Sequence, residues 1–262
     1  TLDDVFTTLD ALAAREYTGN AAQAFYGQMV RHLPLELRGI MKSILKKDLR
    51  CGIGSKTINS VFKGLVPQFD LMAAETFDSS KWNKYPCYVE PKLDGIRVVA
   101  ICQKDGDVQI KSRGGRDLPA LDFLEDQFRT IAQAHFKSQD VMFDGEVVGK
   151  NFNHTVSISR RKDADATEAT FNVFDVVTSP FTATKKTPLS DRLEMLDGAK
   201  NTINRMENLS LLSFEIAYNE GDVLGIYEKY RKAGFEGAIV KDADAPREGK
   251  SSKGWQKIKG QE

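Results

Sequence analysis

Glu90-Pro91-Lys92-Leu93-Asp94-Gly95-Ile96-Arg97 separates two runs that alternate like strands, Tyr85 to Val89 and Val98 to Cys102. The stretch reads Lys-x-Asp-Gly-x-Arg. A lysine just before an Asp-Gly turn is partly withdrawn from water and fixed in direction, two conditions an amine must meet before it can attack phosphorus. On its own the hexapeptide reads better as a hairpin, because Gly and, to a lesser degree, Asp tolerate the positive φ of a tight turn. What lies downstream reverses that preference.

Five segments follow in order. Ser112-Arg113-Gly114-Gly115 is first, then Phe143-Asp144-Gly145-Glu146-Val147-Val148 and Phe171-Asn172-Val173-Phe174-Asp175-Val176-Val177. Phe235-Glu236-Gly237-Ala238-Ile239-Val240-Lys241 and Trp255-Gln256-Lys257-Ile258-Lys259 complete the set. Together with the Lys92 motif they resemble, in order and spacing, the covalent nucleotidyltransferases: ATP-dependent DNA ligases, RNA ligases and mRNA capping enzymes. The resemblance runs from about residue 85 to residue 259. Each motif is short, but six in the right order are hard to reach by chance.

Composition sets the outer bounds. The chain has 262 residues, 28% charged and 41% apolar, as in a soluble globular protein of one large or two modest domains. No apolar run approaches a membrane span and no charged-then-apolar leader opens the chain, so a cytoplasmic protein without signal peptide or membrane contact is expected, in a bacterium or a virus-infected host cell. Cys51, Cys87 and Cys102 are far apart and odd in number, which suggests reduced thiols. They form no ligand cluster with His32, His135 and His154, so zinc is not expected.

Net charge is zero, yet its distribution is uneven. Between Arg31 and Lys63 eight basic residues face two acids, Glu36 and Asp48. Such an excess can make a phosphate-binding face, although a solvated helix surface fits as well. Residues 1 to 66 read as helical: Val5, Leu9 and Leu12 share one face, as do Leu37, Ile40, Met41, Ile44 and Leu45. Gly52-Ile53-Gly54-Ser55 reads as a turn with Ser55 capping a short helix, able to present N–H groups to a phosphate or merely to join two helices. The stretch Asp48 to Gly54, with Gly64-Leu65-Val66-Pro67, resembles the end of the helical DNA-binding domain that precedes the core in many ATP-dependent DNA ligases. Capping enzymes lack that domain, so the likeness is to DNA ligases, of the bacteriophage or viral kind. The expected architecture is an all-α DNA-binding domain over 1–66, a connector over 67–84, and an α+β nucleotidyltransferase domain over 85–262. Helices are expected over Pro119 to Phe136, Leu189 to Asn201 and Asp222 to Ala233, with antiparallel sheets around a nucleotide groove.

The residues themselves leave choices open. Lys257 and Lys259, two apart on a strand, share a face and would depress the pKa of Lys92 if that face lined the groove; a basic edge strand would look the same. Glu146 and Glu236 each adjoin glycine in an apolar run, either exposed at a strand end or aimed at a polar ligand. Phe174 among β-branched neighbours suits core packing.

The resemblance implies definite roles. Lys92, with Asp94 and Arg97, forms the catalytic motif. Glu90 accepts from the adenine amino group, which favours ATP, and Phe174 stacks on the ring. Glu146 meets the ribose hydroxyls, Glu236 the divalent metal Mg²⁺, with Glu146 a second carboxylate within its reach. Lys257 and Lys259 contact phosphate. Arg97 and Arg113 offer planar forks to the adenylate or to a DNA phosphate, and Arg50, Lys56 and Lys250 complete the nucleic-acid contacts. Gly114 stands where relatives more often carry a larger residue, and Lys250 where many carry arginine. The implied reaction seals nicked duplex DNA. Lys92 attacks the α-phosphate of ATP, AMP passes to the 5′-phosphate at the nick, and the 3′-hydroxyl expels it. Complete relatives continue into an OB-fold domain, so a fragment with weak self-adenylation is expected, acting as a monomer. An RNA ligase or capping-type transferase, and a non-catalytic nick-binding fragment, are the alternatives.

Overall fold

The computed structural model describes residues 2–14, 16–45, 55–62, 71–137, 139–161, 163–178, 187–247 and 252–260. The chain divides into two compact units, Thr1–Pro67 and Gln68–Glu262.

The first unit contains α1 (Leu2–Ala13), α2 (Gly19–Arg31), α3 (Leu35–Leu45) and α4 (Ser55–Val61). Val5, Leu33 and Met41 form its buried centre, with Leu9, Tyr26, Leu37 and Ile44 packed around them. Leu37, Met41 and Ile44 are four and three apart, one narrow stripe of α3. Ile40 and Leu45, expected on that stripe, lie outside it at 52% and 41% exposure. Cys51 and the Gly52-Ile53-Gly54 turn fall outside the described residues.

The second unit is mixed α/β and rich in antiparallel pairing. Its strands are β1 (Ala74–Thr76), β2 (Cys87–Lys92), β3 (Ile96–Cys102), β4 (Val108–Ser112), β5 (Val141–Val148), β6 (Thr170–Thr178), β7 (Leu209–Leu211), β8 (Glu215–Ala217), β9 (Gly237–Asp242) and β10 (Ser252–Lys259). They form two five-stranded sheets, ordered β1-β10-β9-β2-β8 and β4-β3-β5-β6-β7. Only β1 on β10 and β7 on β6 pair in parallel among the described strands. The helices are α5 (Glu125–His135), α6 (Phe152–Arg160), α7 (Leu189–Ile203) and α8 (Glu220–Lys232). Phe128 of α5 packs tilted against Phe143 and edge-on against Phe171 in the larger core, while α8 covers Cys87, Val89, Ala238 and Val240. Cys87 and Cys102 are free buried thiols, and burial pushes them up to about 11 and about 12.

Local sequence signals mislead at three points. The runs flanking Lys92 are not a hairpin: β2 pairs with β8 and β9, whereas β3 pairs with β4 and β5. Residues 93–95 therefore cross from one sheet to the other. Gly95 does not adopt positive φ; it is required for closeness, since a Cβ there would stand 2.5 Å from the Val147 carbonyl oxygen. The helix expected from Pro119 to Phe136 splits into a 3₁₀ turn, Pro119–Leu124, followed by α5. Helix α6 was not anticipated at all; Asn151 caps it by accepting a 2.9 Å bond from the His154 amide.

Candidate functional site

Strand alternation aims the site. On β2, Cys87 and Val89 face α8, which leaves Tyr88, Glu90 and Lys92 on the opposite face. The same period puts Ile239 and Lys241 of β9, and Trp255, Lys257 and Lys259 of β10, on that side. From the other sheet, Val98 and Ala100 enter the core while Arg97 points away, directly opposite Glu146 of β5. The two sets of side chains enclose a cavity of about 550 Å³, lined by Glu90, Lys92, Arg97, Glu146, Phe174 and Lys257 among others.

Phe174 reaches the cavity through a register shift. Gly145 faces Val173 and Asp144 faces Asp175, so Phe174 is the extra residue of a bulge between β5 and β6. Gly145 permits that packing, because a Cβ there would meet the Phe171 ring at 2.3 Å.

At the mouth, Glu236 bridges two lysines. Its Oε2 accepts a close hydrogen bond from Lys92 Nζ, and its Oε1 lies 2.8 Å from Lys259 Nζ. Burial pushes the Glu236 carboxyl up, but the bonds from Lys259 and Lys92 outweigh it and hold it below its ordinary value. The backbone helps, with the Glu236 amide donating to the Lys92 carbonyl at 3.1 Å.

Deeper, Glu90 and Lys241 form a buried pair 2.6 Å apart. Burial raises Glu90 and lowers Lys241, drawing both toward their neutral forms. Lys241 Nζ also lies over the Trp255 and Phe174 rings, at 4.1 and 4.6 Å. Glu90 Oε1 has no hydrogen-bond partner among the described residues and borders the cavity, a site for an N–H donor. Glu146 is pushed up to about 7, chiefly by burial, with Arg97 and Lys92 opposing and Asp144 adding to the rise.

Arg97 corrects an expectation. Its Nε and Nη2 bind the two oxygens of Asp144 at 2.7 and 2.8 Å, and Nη1 donates to the Met72 carbonyl. The fork is therefore committed inside the protein; what the cavity meets is the flat guanidinium, 4.8 Å from the Phe174 ring. The link between the sheets leaves Asp94 exposed and outside the cavity lining, between Leu93 and Gly95, which line it. Arg113 is exposed at the rim. A Cβ on Gly114 would meet nothing within 4 Å, so the larger residue of relatives would fit, and the positive φ of this turn falls on Gly115 instead. Arg50 and Lys250 lie outside the described residues, and so does the side chain of Lys56 on α4.

Several residues carry the site without a motif to mark them. Ala73 and Ala74, from the stretch expected as a connector, line one wall of the cavity. Arg247 bonds Asp144 and Asp175 at 3.0 and 3.1 Å, and Arg192 of α7 binds Asp175 at 2.7 Å. With Arg97 these groups form a buried chain of three arginines and two aspartates beneath the cavity. The pairing of Lys241 with Glu90 had only β alternation as a sequence signal.

Among the described residues no helix is long and apolar enough to cross a membrane, and no cluster of three or more His, Cys, Asp or Glu is placed to hold a metal.

Residues 71–259 match the model of a family described as ATP dependent DNA ligase domain. The DNA ligase of Enterobacteria phage T6 is 25% identical over 310 residues, covering 99% of this chain and 62% of that protein. A solved structure named Pmar-Lig_Pre superposes with a TM-score of 0.76 at 24% identity, over 99% of this chain and 63% of that one. The ATP-dependent DNA ligase of bacteriophage T7 in complex with ATP gives a TM-score of 0.60 at 18% identity, over 72% and 68%. The chain thus spans about 62% of the length of the curated relative.

Proposed function

Because the chain belongs to the ATP-dependent DNA ligase domain family, we propose that it seals 5′-phosphate/3′-hydroxyl nicks in duplex DNA by way of AMP carried on Lys92. The observation that carries this reading is the placement of Lys92: a lysine at the edge of a cavity between the two sheets, flanked by Lys257 and Lys259 and held by Glu236. Its Nζ attacks the α-phosphate of ATP and pyrophosphate leaves. AMP then passes to the 5′-phosphate of the nick, and the 3′-hydroxyl displaces it. Lys257 and Lys259 oppose the charge that develops on phosphate at each step. The adenine ring enters between the Phe174 and Trp255 side of the cavity and Glu90, whose unpartnered oxygen takes the amino group.

Glu236 is the first group that would hold Mg²⁺, while Glu146 would take the ribose hydroxyls and stand as the second carboxylate within reach. Two carboxylates suit a hard cation that completes its shell with phosphate oxygens and water, and when bound it would neutralise phosphate charge. Arg113 at the rim, Lys250, and the basic run of the first unit that includes Arg50 and Lys56 would meet the DNA backbone, with Thr1–Pro67 as the DNA-binding unit.

The test is sealing of a nicked duplex with ATP, compared with a nick lacking its 5′-phosphate and with a nicked RNA strand. Sealing of the phosphorylated DNA nick alone supports the reading; preference for the RNA strand favours the RNA-ligase alternative. Deleting residues 1–66 should weaken nick binding far more than ATP binding, and affinity of the intact chain should fall steeply with salt through counterion release.

A further inference from the structure

We propose that Arg231 is a positioning residue that sets the direction of Glu236, and through it of Lys92 and Lys259, from outside the cavity. The proposal rests on the role given to Lys92 above.

Arg231 sits in the last turn of α8, exposed, with no place in the cavity lining. An arginine there ordinarily serves the carbonyls of its own helix. This one reaches past the helix end. Its Nη1 donates to the carbonyls of Phe235 and Glu236, at 2.9 and 3.2 Å. Both belong to the segment that leads into β9, after the chain has turned at Gly234 with φ +91°. The guanidinium also lies against Gly260, where a Cβ would stand 2.7 Å from Nη2 and 2.8 Å from Cζ. One side chain thus joins the end of α8, the backbone of Glu236 and the residue after Lys259.

The consequence falls on the carboxylate. The Glu236 amide is fixed to the Lys92 carbonyl and its own carbonyl is fixed to Arg231. With both sides of the residue held, the side chain is directed between Lys92 and Lys259. At Gly237, next in the chain, the backbone passes so close to β10 that a Cβ would lie 2.0 Å from the Ile258 carbonyl oxygen. A few tenths of an ångström of slack at Glu236 would move the Lys92 amine off its line of attack.

Two independent substitutions test this. Arg231→Met removes the donors, while Gly260→Ala leaves Arg231 intact and displaces its guanidinium. AMP transfer to Lys92 is followed by intact mass across ATP concentrations, beside ATP titration and thermal unfolding. Both variants should transfer AMP about tenfold more slowly at saturating ATP. The ATP concentration for half the maximal rate should stay within about twofold, and Tm within about 3 °C. Arg231→Lys, which keeps a donor but not the planar contact, should return to within about threefold of the wild-type rate. A wild-type rate in either Arg231→Met or Gly260→Ala overturns the proposal. So does a rate loss that comes with a matching fall in ATP affinity and Tm, or no recovery in Arg231→Lys. AMP on a Lys92→Ala chain would instead defeat the lysine reading and take this proposal with it.

Discussion

The ions at the mouth of the cavity, two lysines and a glutamate, and those beneath it, arginines and aspartates, lie in very different surroundings. At the mouth, Lys92, Glu236 and Lys259 keep 20%, 30% and 53% of their side-chain surface in water. Beneath, Asp144, Asp175 and Arg192 keep none and Arg247 keeps 5%. A partly wet pair is worth little and exchanges partners easily. A buried one cannot lose a partner without leaving a charge that nothing solvates. The mouth is therefore able to give up Lys259 to an arriving phosphate while Glu236 keeps Lys92 in line, whereas the floor holds Arg97 and the Phe174 ring against it where they are. Rearrangement and rigidity are separated by burial, and the forked arginine contacts of the floor add to its rigidity.

Removing one acid from each layer tests the separation most severely. Asp144→Ala strands Arg97 and Arg247 and should cost about 3–5 kcal/mol in urea unfolding. Glu236→Ala should cost less than about 1 kcal/mol in the same experiment. Equal losses would mean that the two layers do not differ as described.

Within the site, Glu236 and Glu146 should separate under magnesium. On pre-adenylated nicked DNA, Glu236→Ala should slow single-turnover bond formation, and added Mg²⁺ should restore part of the rate, because phosphates and water supply the remaining ligands. Glu146→Ala should weaken ATP binding by about tenfold, the worth of one lost hydrogen bond to a charged group, with little response to metal. Matching metal responses would merge the two roles.

The gentlest probe is pH. Glu146 titrates near 7 in the folded chain against an ordinary 4.5, so the folded state holds the extra proton between those values. Its contribution makes stability fall as pH rises through that window. Glu236 is shifted downward, so its contribution is present above the ordinary carboxylate range and is lost as pH falls through its lowered value. Unfolding measured from pH 2 to 8 should therefore show Glu146→Gln removing a fall in stability between 4.5 and about 7, and Glu236→Gln removing a rise below 4.5. Changes of the same sign would place the two acids in one environment.

Much of this was legible in the sequence because the cavity uses strand alternation. Lys257 and Lys259 share a face for the same reason that Glu90 and Lys92 do, and motif order supplied the rest. What was not legible depended on partners distant in sequence. The Lys92 loop looked like a hairpin because local propensity favours one; pairing of β2 with β9 and of β3 with β5, set by residues some 50 to 150 positions away, overrode it. Arg97 read as a free fork until Asp144 was placed opposite its strand. Arg192 and Arg247 stand in no motif, and only the approach of α7 and the 243–247 segment to Asp175 gives them a role. Phe174 was nominated by resemblance, but the bulge that delivers it follows from close packing at Gly145.

Intact mass of the chain after incubation with ATP and Mg²⁺ decides whether Lys92 carries AMP. The account predicts a gain of one AMP, located by peptide mapping on Lys92, lost in Lys92→Ala and in Lys92→Arg, whose guanidinium stays protonated. AMP retained in either variant, or no gain at any ATP concentration, would contradict it.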